Sequence, residues 1–242
     1  MKFYNELKEK FERVIKDNNI NINEEIVLTT KLTPTEAIGH TERDDYPILK
    51  GKEVLINSNY KGFIGQAYTN NPSEFKGSLS SILNLDLSNE KNLPIFIATL
   101  NAVLRSLGFI DRTIHCKDGE PKECAKKVLS EMKEKFKGKN IALVGLQPGM
   151  LNELSKEFNI RVLDLDKENI GKEKSSIIIE DGIEKYNEVM KWADVILVTG
   201  STSCNKSIVN FINLNKPVYF YGTSGAGVCY LMNLDRICFC AK

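Results

Sequence analysis

The first part of the chain carries a helical hydrophobic pattern followed by short apolar runs. Apolar side chains recur at helical spacing from Phe3 to Ile15, which predicts an amphipathic helix from Lys2 to about Asp17. The stretches "EEIVLTTKL", "GKEVLINSN" and "KGFIGQAYT" are typical of strands. "SLSSILNL" and "NLPIFIATLNAVLRSLG" are typical of helices, and Gly108 suits the end of the second one. The order of helix, strands and helices predicts an α+β unit.

The pattern changes after Gly108, where "PKECAKKVLSEMKEKF" predicts a long helix. Apolar strands and helical segments then alternate. The predicted strands are "NIALVGL", "IRVLDLD", "SSIIIE", "DVILVTG", "PVYFYG" and "RICFC". The predicted helices are "PGMLNELSKEF", "IEKYNEVMKWA" and "KSIVNFINLN". This alternation predicts an α/β fold in which a mostly parallel sheet is the middle of three layers. We therefore expect an α+β domain over 1–112 and an α/β domain over 113–242.

Charge and composition limit the kinds of molecule that this protein is expected to bind. The 242 residues carry 33 Lys and Arg against 32 Asp and Glu, a formal net charge of +1. This balance gives no general attraction to nucleic acid or to an anionic membrane. No apolar run approaches the roughly 20 residues of a membrane span. We expect a cytoplasmic protein whose six cysteines are reduced thiols.

The candidate binding residues follow the apolar strands. In an open parallel sheet, ligands bind outside the carboxyl ends of the strands. Small residues there leave room for a ligand to meet backbone N–H groups, and a following helix N-terminus favours a negative group. The alternative is that these Ser, Thr and Asn residues only cap helices. The predicted ligand-binding residues are Gly145, Asp164, Asp166, Gly200, Thr202, Asn205, Gly222, Thr223 and Ser224.

The first strand end lacks the dinucleotide-binding fingerprint. "GLQPGM" does not match G-x-G-x-x-G, and Pro148 removes an N–H that a pyrophosphate would use. Pro148 also suits the first position of a helix. Asp164 or Asp166 could still hold a ribose hydroxyl. NAD binding is thus disfavoured, whereas a nucleoside ligand such as S-adenosylmethionine stays open.

Cysteine and histidine side chains are the other candidates for metal chemistry. The stretches "HC" at residues 115–116 and "CFC" at residues 238–240 contain soft or borderline ligands, but no C-x-x-C pair occurs. Buried structural thiols are the favoured alternative. In an extended segment, His115 and Cys116 would point in opposite directions. Cys204 lies at an expected helix start, where the pKa of its thiol would fall and favour metal binding.

Four stretches together resemble one family. "GSTSCNKSI", "VLDLDKENIG", "YGTSGAG" and the joining segment "HCKDGEPKECA" are similar in order and spacing to motifs of the putative heavy-metal chelation family. The resemblance implies a domain with the enolase N-terminal fold, a Rossmann-like domain, and a ligand site in the cleft between them. The matching motif positions are Gly200, Thr202, Asn205, Asp164, Asp166, Gly222 and Ser224.

Three hypotheses for function follow. The first is a protein that binds a divalent transition metal, or a small molecule that carries one, through Asp164, Asp166 and Cys204. The second is an enzyme that holds a nucleoside cofactor such as S-adenosylmethionine, with an anionic group on the backbone of residues 222–227. The third is an assembly module that forms a homo-oligomer. None of them involves nucleic acid or a membrane.

Overall fold

The computed structural model describes residues 2–23, 25–29, 32–50 and 53–242. Residues 24, 30 and 31 of the predicted strand "EEIVLTTKL", and residues 51 and 52 of "GKEVLINSN", lie outside this part of the chain. The first half contains α1 (Lys2–Asp17), β1 (Glu25–Thr29), α2 (Pro34–Ile38), β2 (Val54–Tyr60), β3 (Phe63–Thr69), β4 (Phe75–Ser78), α3 (Leu79–Leu83) and α4 (Asn92–Ser106). Its strands form an antiparallel sheet in the order β3-β2-β1-β4.

The second half forms a larger sheet. Its elements are α5 (Glu120–Phe136), β5 (Ile141–Val144), α6 (Pro148–Leu154), β6 (Ile160–Asp164), β7 (Glu173–Lys174), β8 (Ile177–Asp181), α7 (Tyr186–Trp192), β9 (Val195–Thr199), β10 (Val218–Tyr221) and α8 (Ala226–Met232). The strand order is β10-β9-β5-β6-β8-β7, and only β7 runs antiparallel to its neighbour. The chain leaves β5 in one direction and later returns to its other side, which creates a switch point between β5 and β9.

Successive side chains of each parallel strand point to opposite faces of this sheet, and both faces are buried. In β5, Ile141 and Leu143 pack with α5 and α6, whereas Ala142 and Val144 face the opposite side. All four side chains are buried. Because helices cover both faces, every position of such a strand is apolar, as the sequence predicted. The predicted fold class is confirmed in this respect, while the likeness of the first half to the enolase N-terminal fold stays a prediction.

Helix α4 lies between the two sheets. Every residue from Leu93 to Leu104 is buried. On one side, the backbone of β3 comes so close that a Cβ added at Gly65 would lie 2.3 Å from the carbonyl oxygen of Ala98. On the other side, α4 packs against α8, and buried residues of both sheets belong to one continuous hydrophobic cluster. The helix is therefore buried on all sides and is apolar over Leu93–Leu104 except at Thr99 and Asn101, because both halves of the chain cover it.

Two predicted elements are wrong. "KSIVNFINLN" forms only a 3₁₀ turn over Ser207–Asn210, because Lys206 and Asn213 adopt left-handed backbone angles that end a helix on either side. "RICFC" is not a strand. Only Arg236 forms a bridge, with Phe220, and the following residues bend towards the segment after α4.

Several short elements had no clear sequence signal. These are α2, β4, β7 and α8, each seven residues or shorter. Within the described residues, no helix is both long and apolar enough to cross a membrane. All six cysteines are free thiols.

Candidate functional site

A cleft of about 1100 Å³ opens at the carboxyl ends of β5, β6, β9 and β10. Residues from the first half of the chain, among them Tyr46, Glu53 and Tyr68, form its opposite side. The structure brings every predicted site residue to this one cleft. The residues are Gly145, Asp164, Asp166, Gly200, Thr202, Cys204, Asn205, Gly222, Thr223 and Ser224. Strand ends far apart in the sequence thus converge, as expected for parallel strands that share one edge.

Glycine is required at three strand ends for different structural reasons. A Cβ at Gly145 would lie 2.6 Å from Cγ2 of Thr199, and one at Gly200 would lie 2.4 Å from the backbone nitrogen of Gly225. These two glycines therefore allow the loops to pack on each other. Gly222 has a φ of +87° and open space where a side chain would be. Its carbonyl oxygen accepts a 3.1 Å hydrogen bond from Nε of Arg236, so the requirement for glycine at this position comes from the backbone angle and not from packing.

The loop after β10 is joined to the first half of the chain by side-chain hydrogen bonds. The hydroxyl of Ser224 accepts a 2.9 Å hydrogen bond from the backbone N–H of Tyr68. The amide of Asn101 donates to the carbonyl oxygens of Gln66 and Thr223. Thr223 is fully buried, and its hydroxyl has no hydrogen-bond partner among the described residues. A buried hydroxyl without a partner in the wall of a cleft is a ready contact for a polar ligand atom.

Asp164 connects two of the loops. One of its carboxylate oxygens accepts a 2.7 Å hydrogen bond from the N–H of Leu146, and the other accepts one from Asp166 at the same length. The carboxylate of Asp166 accepts a hydrogen bond from the N–H of Glu168. Asp164 thus fixes the shape of the cleft edge and presents its negative charge to the cleft from a defined position.

Glu53 is a third acid of this cleft, and no sequence motif predicts it. It precedes β2 and lines the cleft opposite the larger sheet. Burial, together with the negative charges of Asp164 and Asp166, raises the pKa of Glu53 to about 7. The only sequence feature that points to Glu53 is its position directly before a buried apolar strand. That feature does not predict which residues will face its carboxyl group.

His115 also lines the cleft, and its ring has a defined tautomer. Nδ1 lies 2.7 Å from the carbonyl oxygen of Cys116, which can only accept, so Nδ1 carries the proton and Nε2 a lone pair. Burial lowers the pKa of His115 to about 4, and its ring packs edge to face on Tyr68. Cys116 contacts the same cleft. The expectation that these neighbours point apart is wrong, because residues 113–118 do not form a regular strand.

Cys204 does not have the properties predicted for it. It is buried in the hydrophobic cluster that joins the two sheets, and burial raises the pKa of its thiol to about 12. The loop after β9 continues into a 3₁₀ turn over Gly200–Ser203 instead of an α-helix, so no helix terminus lowers this pKa. The prediction of an acidic thiol is wrong.

The described residues contain no set of three or more His, Cys, Asp or Glu side chains arranged to hold a metal ion. Asp164, Asp166 and Cys204 therefore do not form a complete coordination shell by themselves. A bare metal ion bound here would need ligands from elsewhere, such as a bound molecule.

Comparison with known proteins finds a family model that matches part of the chain and solved structures with a similar fold. Residues 128–225 match the model of the DUF364 family, described as putative heavy-metal chelation, which confirms the resemblance seen in the sequence. No curated protein matches the chain.

Two solved structures of proteins with unknown function from the DUF364 family have a similar fold. The one from Pyrococcus horikoshii is 16% identical with a TM-score of 0.54, and the match covers 91% of this chain and 78% of that protein. The one from Desulfitobacterium hafniense DCB-2 is 14% identical with a TM-score of 0.52, covering 93% of this chain and 82% of that one. At these identities the likeness extends to the fold alone.

Proposed function

We propose that this chain, which resembles the DUF364 family in sequence and fold, binds a small organic molecule that carries a divalent metal cation. The observation that carries the proposal is the meeting of Glu53, Asp164 and Asp166 on one cleft of about 1100 Å³. The three carboxyl groups come from both sheets. The family description, putative heavy-metal chelation, points in the same direction.

The electrostatics of the cleft favour a cation. Glu53 keeps its proton up to about pH 7 because burial disfavours its charged form and because ionising it would also place a third negative charge beside Asp164 and Asp166. A cation between these groups would remove that cost and release the proton of Glu53. Carboxylate oxygens suit hard and borderline cations.

The dimensions of the cleft favour a molecule larger than an ion. A cleft of about 1100 Å³ is at the upper end of the range for small-molecule sites. Gly222 and Thr223 both line this cleft, and the buried hydroxyl of Thr223 has no partner among the described residues. Since no group of three protein ligands converges within the described residues, the bound molecule would supply the remaining ligands of the metal.

The nucleoside hypothesis has weaker support. Asp164 follows the second parallel strand, where an acidic residue can hold a ribose hydroxyl. Both oxygens of Asp164 accept backbone N–H groups and keep a lone pair each, so Asp164 does not separate the two hypotheses. What favours a cation is that Glu53 and Asp166 line the same cleft as Asp164. Binding of S-adenosylmethionine in the absence of metal would favour this alternative over a metal-bearing ligand.

Native mass spectrometry with elemental analysis tests the proposal on protein purified without chelators or a metal-binding tag. We expect a mass above the 27.3 kDa of the chain, equal to an organic molecule with one metal atom. The Glu53→Gln, Asp166→Asn double variant should lose this excess mass, whereas Glu173→Gln on β7, outside the cleft, should keep it.

Calorimetric titration of the purified protein with Zn²⁺, Ni²⁺ or Fe²⁺ complements this experiment. We expect weak binding of each ion alone, because the cleft provides an incomplete set of ligands. Protein that purifies without metal and without an organic molecule, and that binds none of the three ions, would contradict the proposal.

A further inference from the structure

Two large apolar side chains are exposed on one edge of the cleft. Leu165 follows β6 directly and is 52% exposed, and Ile183 follows β8 and is 78% exposed. Both residues line the cleft. Because β6 and β8 are neighbouring parallel strands, their two loops lie side by side at the same edge of the sheet. A single exposed apolar residue is ordinary on a protein surface, whereas two on adjoining loops of a cleft indicate a surface that a bound molecule covers.

Hydrogen bonds fix the loop conformation that exposes these side chains. The backbone N–H of Gly182 donates a 2.8 Å hydrogen bond to the carbonyl oxygen of Asp164, which joins the two loops. A Cβ added at Gly182 would lie 3.2 Å from Cδ2 of Leu165, so Leu165 packs against the backbone of the neighbouring loop. The carboxylate of Asp181 accepts a 2.7 Å hydrogen bond from the N–H of Ile183. Both side chains are therefore presented by hydrogen-bonded loops on a rigid sheet, where binding surfaces are commonly found.

The apolar edge continues into the cleft through two aromatic residues. Tyr186 begins α7 three residues after Ile183, and Phe211 packs on its ring edge to face, with ring centroids 5.7 Å apart. Both residues line the cleft. The hydroxyl of Tyr186 donates a hydrogen bond to the carbonyl oxygen of Asn210, which holds the ring in place. One side of the cleft is thus an apolar wall that consists of Leu165, Ile183, Tyr186 and Phe211.

Charged residues border the apolar wall on its outer side. The residues that come soon after Leu165 and Ile183 in the chain are exposed and charged, namely Lys167, Glu168, Glu184 and Lys185. A stable protein–protein interface buries roughly 800 Å² on each partner and has few charges at its centre. The narrow apolar wall therefore suits part of a small molecule better than a second protein.

Polar groups of the same cleft lie beside the apolar wall. Asp164 and Asp166 flank Leu165 in the chain and line the cleft. The hydroxyl of Thr223 is buried in the cleft without a partner among the described residues. A molecule that fills the cleft therefore contacts carboxylates and a hydroxyl with one part of its surface and hydrocarbon with the rest. Small-molecule sites commonly combine a few polar groups, which orient the ligand, with an apolar lining.

We infer that the organic molecule of this cleft is amphipathic. Its apolar part, a ring system or a hydrocarbon chain, packs on the apolar wall, and its polar part faces Asp164 and Thr223. This presupposes the small-molecule ligand proposed above, but not the metal that it carries. Leu165 and Ile183 then determine specificity, because a fully polar molecule of the same size would leave both side chains without an apolar partner.

Titration of the full chain with Nile red tests the apolar wall in the absence of metal. The fluorescence of this neutral dye rises in apolar surroundings, and the titration uses protein whose native mass equals that of the chain alone. We expect saturable binding of one dye molecule per chain. Ile183→Ser and Leu165→Ser should each weaken dye binding by about 10-fold, since each removes the apolar surface of one large side chain from the wall.

Ile178→Ser serves as the matched control, because Ile178 is 60% exposed on β8 but does not line the cleft. It should bind Nile red as the unaltered chain does, and circular dichroism establishes that each variant is folded. Absence of dye binding, equal affinity of Ile183→Ser and the unaltered chain, or an equal loss in Ile178→Ser would overturn the inference. So would a dimer that sedimentation velocity detects for the unaltered chain but not for Ile183→Ser, because a second copy would then cover the wall.

Protein that purifies with its organic molecule allows a direct test. Methanol extracts the molecule, and its retention on a reversed-phase column measures its apolar surface. We expect it to elute after adenosine, and elution together with unretained polar solutes would contradict an amphipathic ligand. Absence of metal from the same protein would contradict the proposed function alone, so the two failures are distinguishable.

Discussion

The side-chain carbonyl of Asn101 accepts a hydrogen bond of 2.7 Å from the backbone N–H of Gly227. Asn101 belongs to α4, and Gly227 to the first turn of α8. The two elements are so close that a Cβ on Gly227 would lie 2.0 Å from Cδ2 of Leu100. This contact fixes the two sheets relative to each other, and the cleft between them takes its width from it.

Asn101→Ala should strongly destabilise the protein. The change leaves the N–H of Gly227 and the carbonyls of Gln66 and Thr223 without their partner in a fully buried place. Each buried group without a partner costs about 1–3 kcal/mol, so we expect a loss of at least about 3 kcal/mol in the free energy of unfolding. Urea unfolding measures it. Asn18→Ala, at an exposed site on the surface, should change this free energy by about 0.5 kcal/mol or less.

Glu53 should make the protein less stable as pH rises from about 4.5 to about 7. The folded state keeps the proton of Glu53 to about pH 7, whereas the unfolded chain loses it near 4.5. The folded state therefore binds more protons in this window, and the free energy of unfolding falls with pH by up to about 3 kcal/mol. Glu53→Gln should remove this fall and be the more stable protein at pH 8.

Urea unfolding at pH 5 and pH 8 checks this expectation, with Glu9→Gln on the exposed side of α1 as the control. The control should follow the unaltered chain at both pH values. Parallel behaviour of Glu53→Gln and the unaltered chain would show that Glu53 titrates normally in the folded protein.

His115 should have the opposite effect on stability: it should make the protein more stable as pH rises, and over a lower pH range than Glu53. Its pKa is about 4 in the folded state and about 6.5 when unfolded, so the unfolded chain binds more protons between these values. The free energy of unfolding should therefore rise by up to about 3 kcal/mol as pH increases from 4 to 6.5. Substitution of His115 by Asn should flatten this rise.

Nitrogen NMR provides a direct reading of the His115 ring, because the chain contains only two histidines. We expect a neutral ring with its proton on Nδ1 at pH 6, as the hydrogen bond to the carbonyl of Cys116 requires. A ring protonated on Nε2, or one that is charged at pH 6, would be inconsistent with this arrangement. His40→Asn assigns the signals.

Gly200→Ala and Gly222→Ala should separate the cost of a steric clash from the cost of backbone strain. At Gly200 the new Cβ would lie 2.4 Å from backbone nitrogen of Gly225, so we expect a loss of several kcal/mol in unfolding free energy. At Gly222 only backbone strain opposes the change, at about 1–2 kcal/mol. Thermal unfolding compares them. If Gly222→Ala proves the more damaging of the two, the packing of these loops has been misassigned.

The sequence predicts the main elements well where burial dictates the pattern. Residues Ile141 to Val144 and Val195 to Val198 are all apolar because helices cover both faces of their strands. The hydrophobic pattern fails to predict an element where the backbone angles of single residues determine whether a helix forms. The hydrophobic pattern of "KSIVNFINLN" does not predict the left-handed backbone angles of Lys206 and Asn213, which prevent a helix.

The candidate site is predictable only in part, for a physical reason. Residues at the ends of parallel strands share an edge of the sheet, so topology alone brings Asp164 and Ser224 to one cleft. Glu53 arrives from the other sheet, and its position depends on how the two sheets pack. The burial of Cys204 depends on the same packing, which is why its pKa was predicted in the wrong direction.

The apolar surface of α4 has a consequence for how the protein is made. The strands β2 and β3 cover one side of this helix and are synthesised before it, but the partners on its other side come much later, from α8. A partly synthesised chain therefore presents an uncovered hydrophobic helix over the whole time needed to add more than a hundred further residues. We expect chaperones that recognise exposed apolar segments to bind the nascent protein at α4.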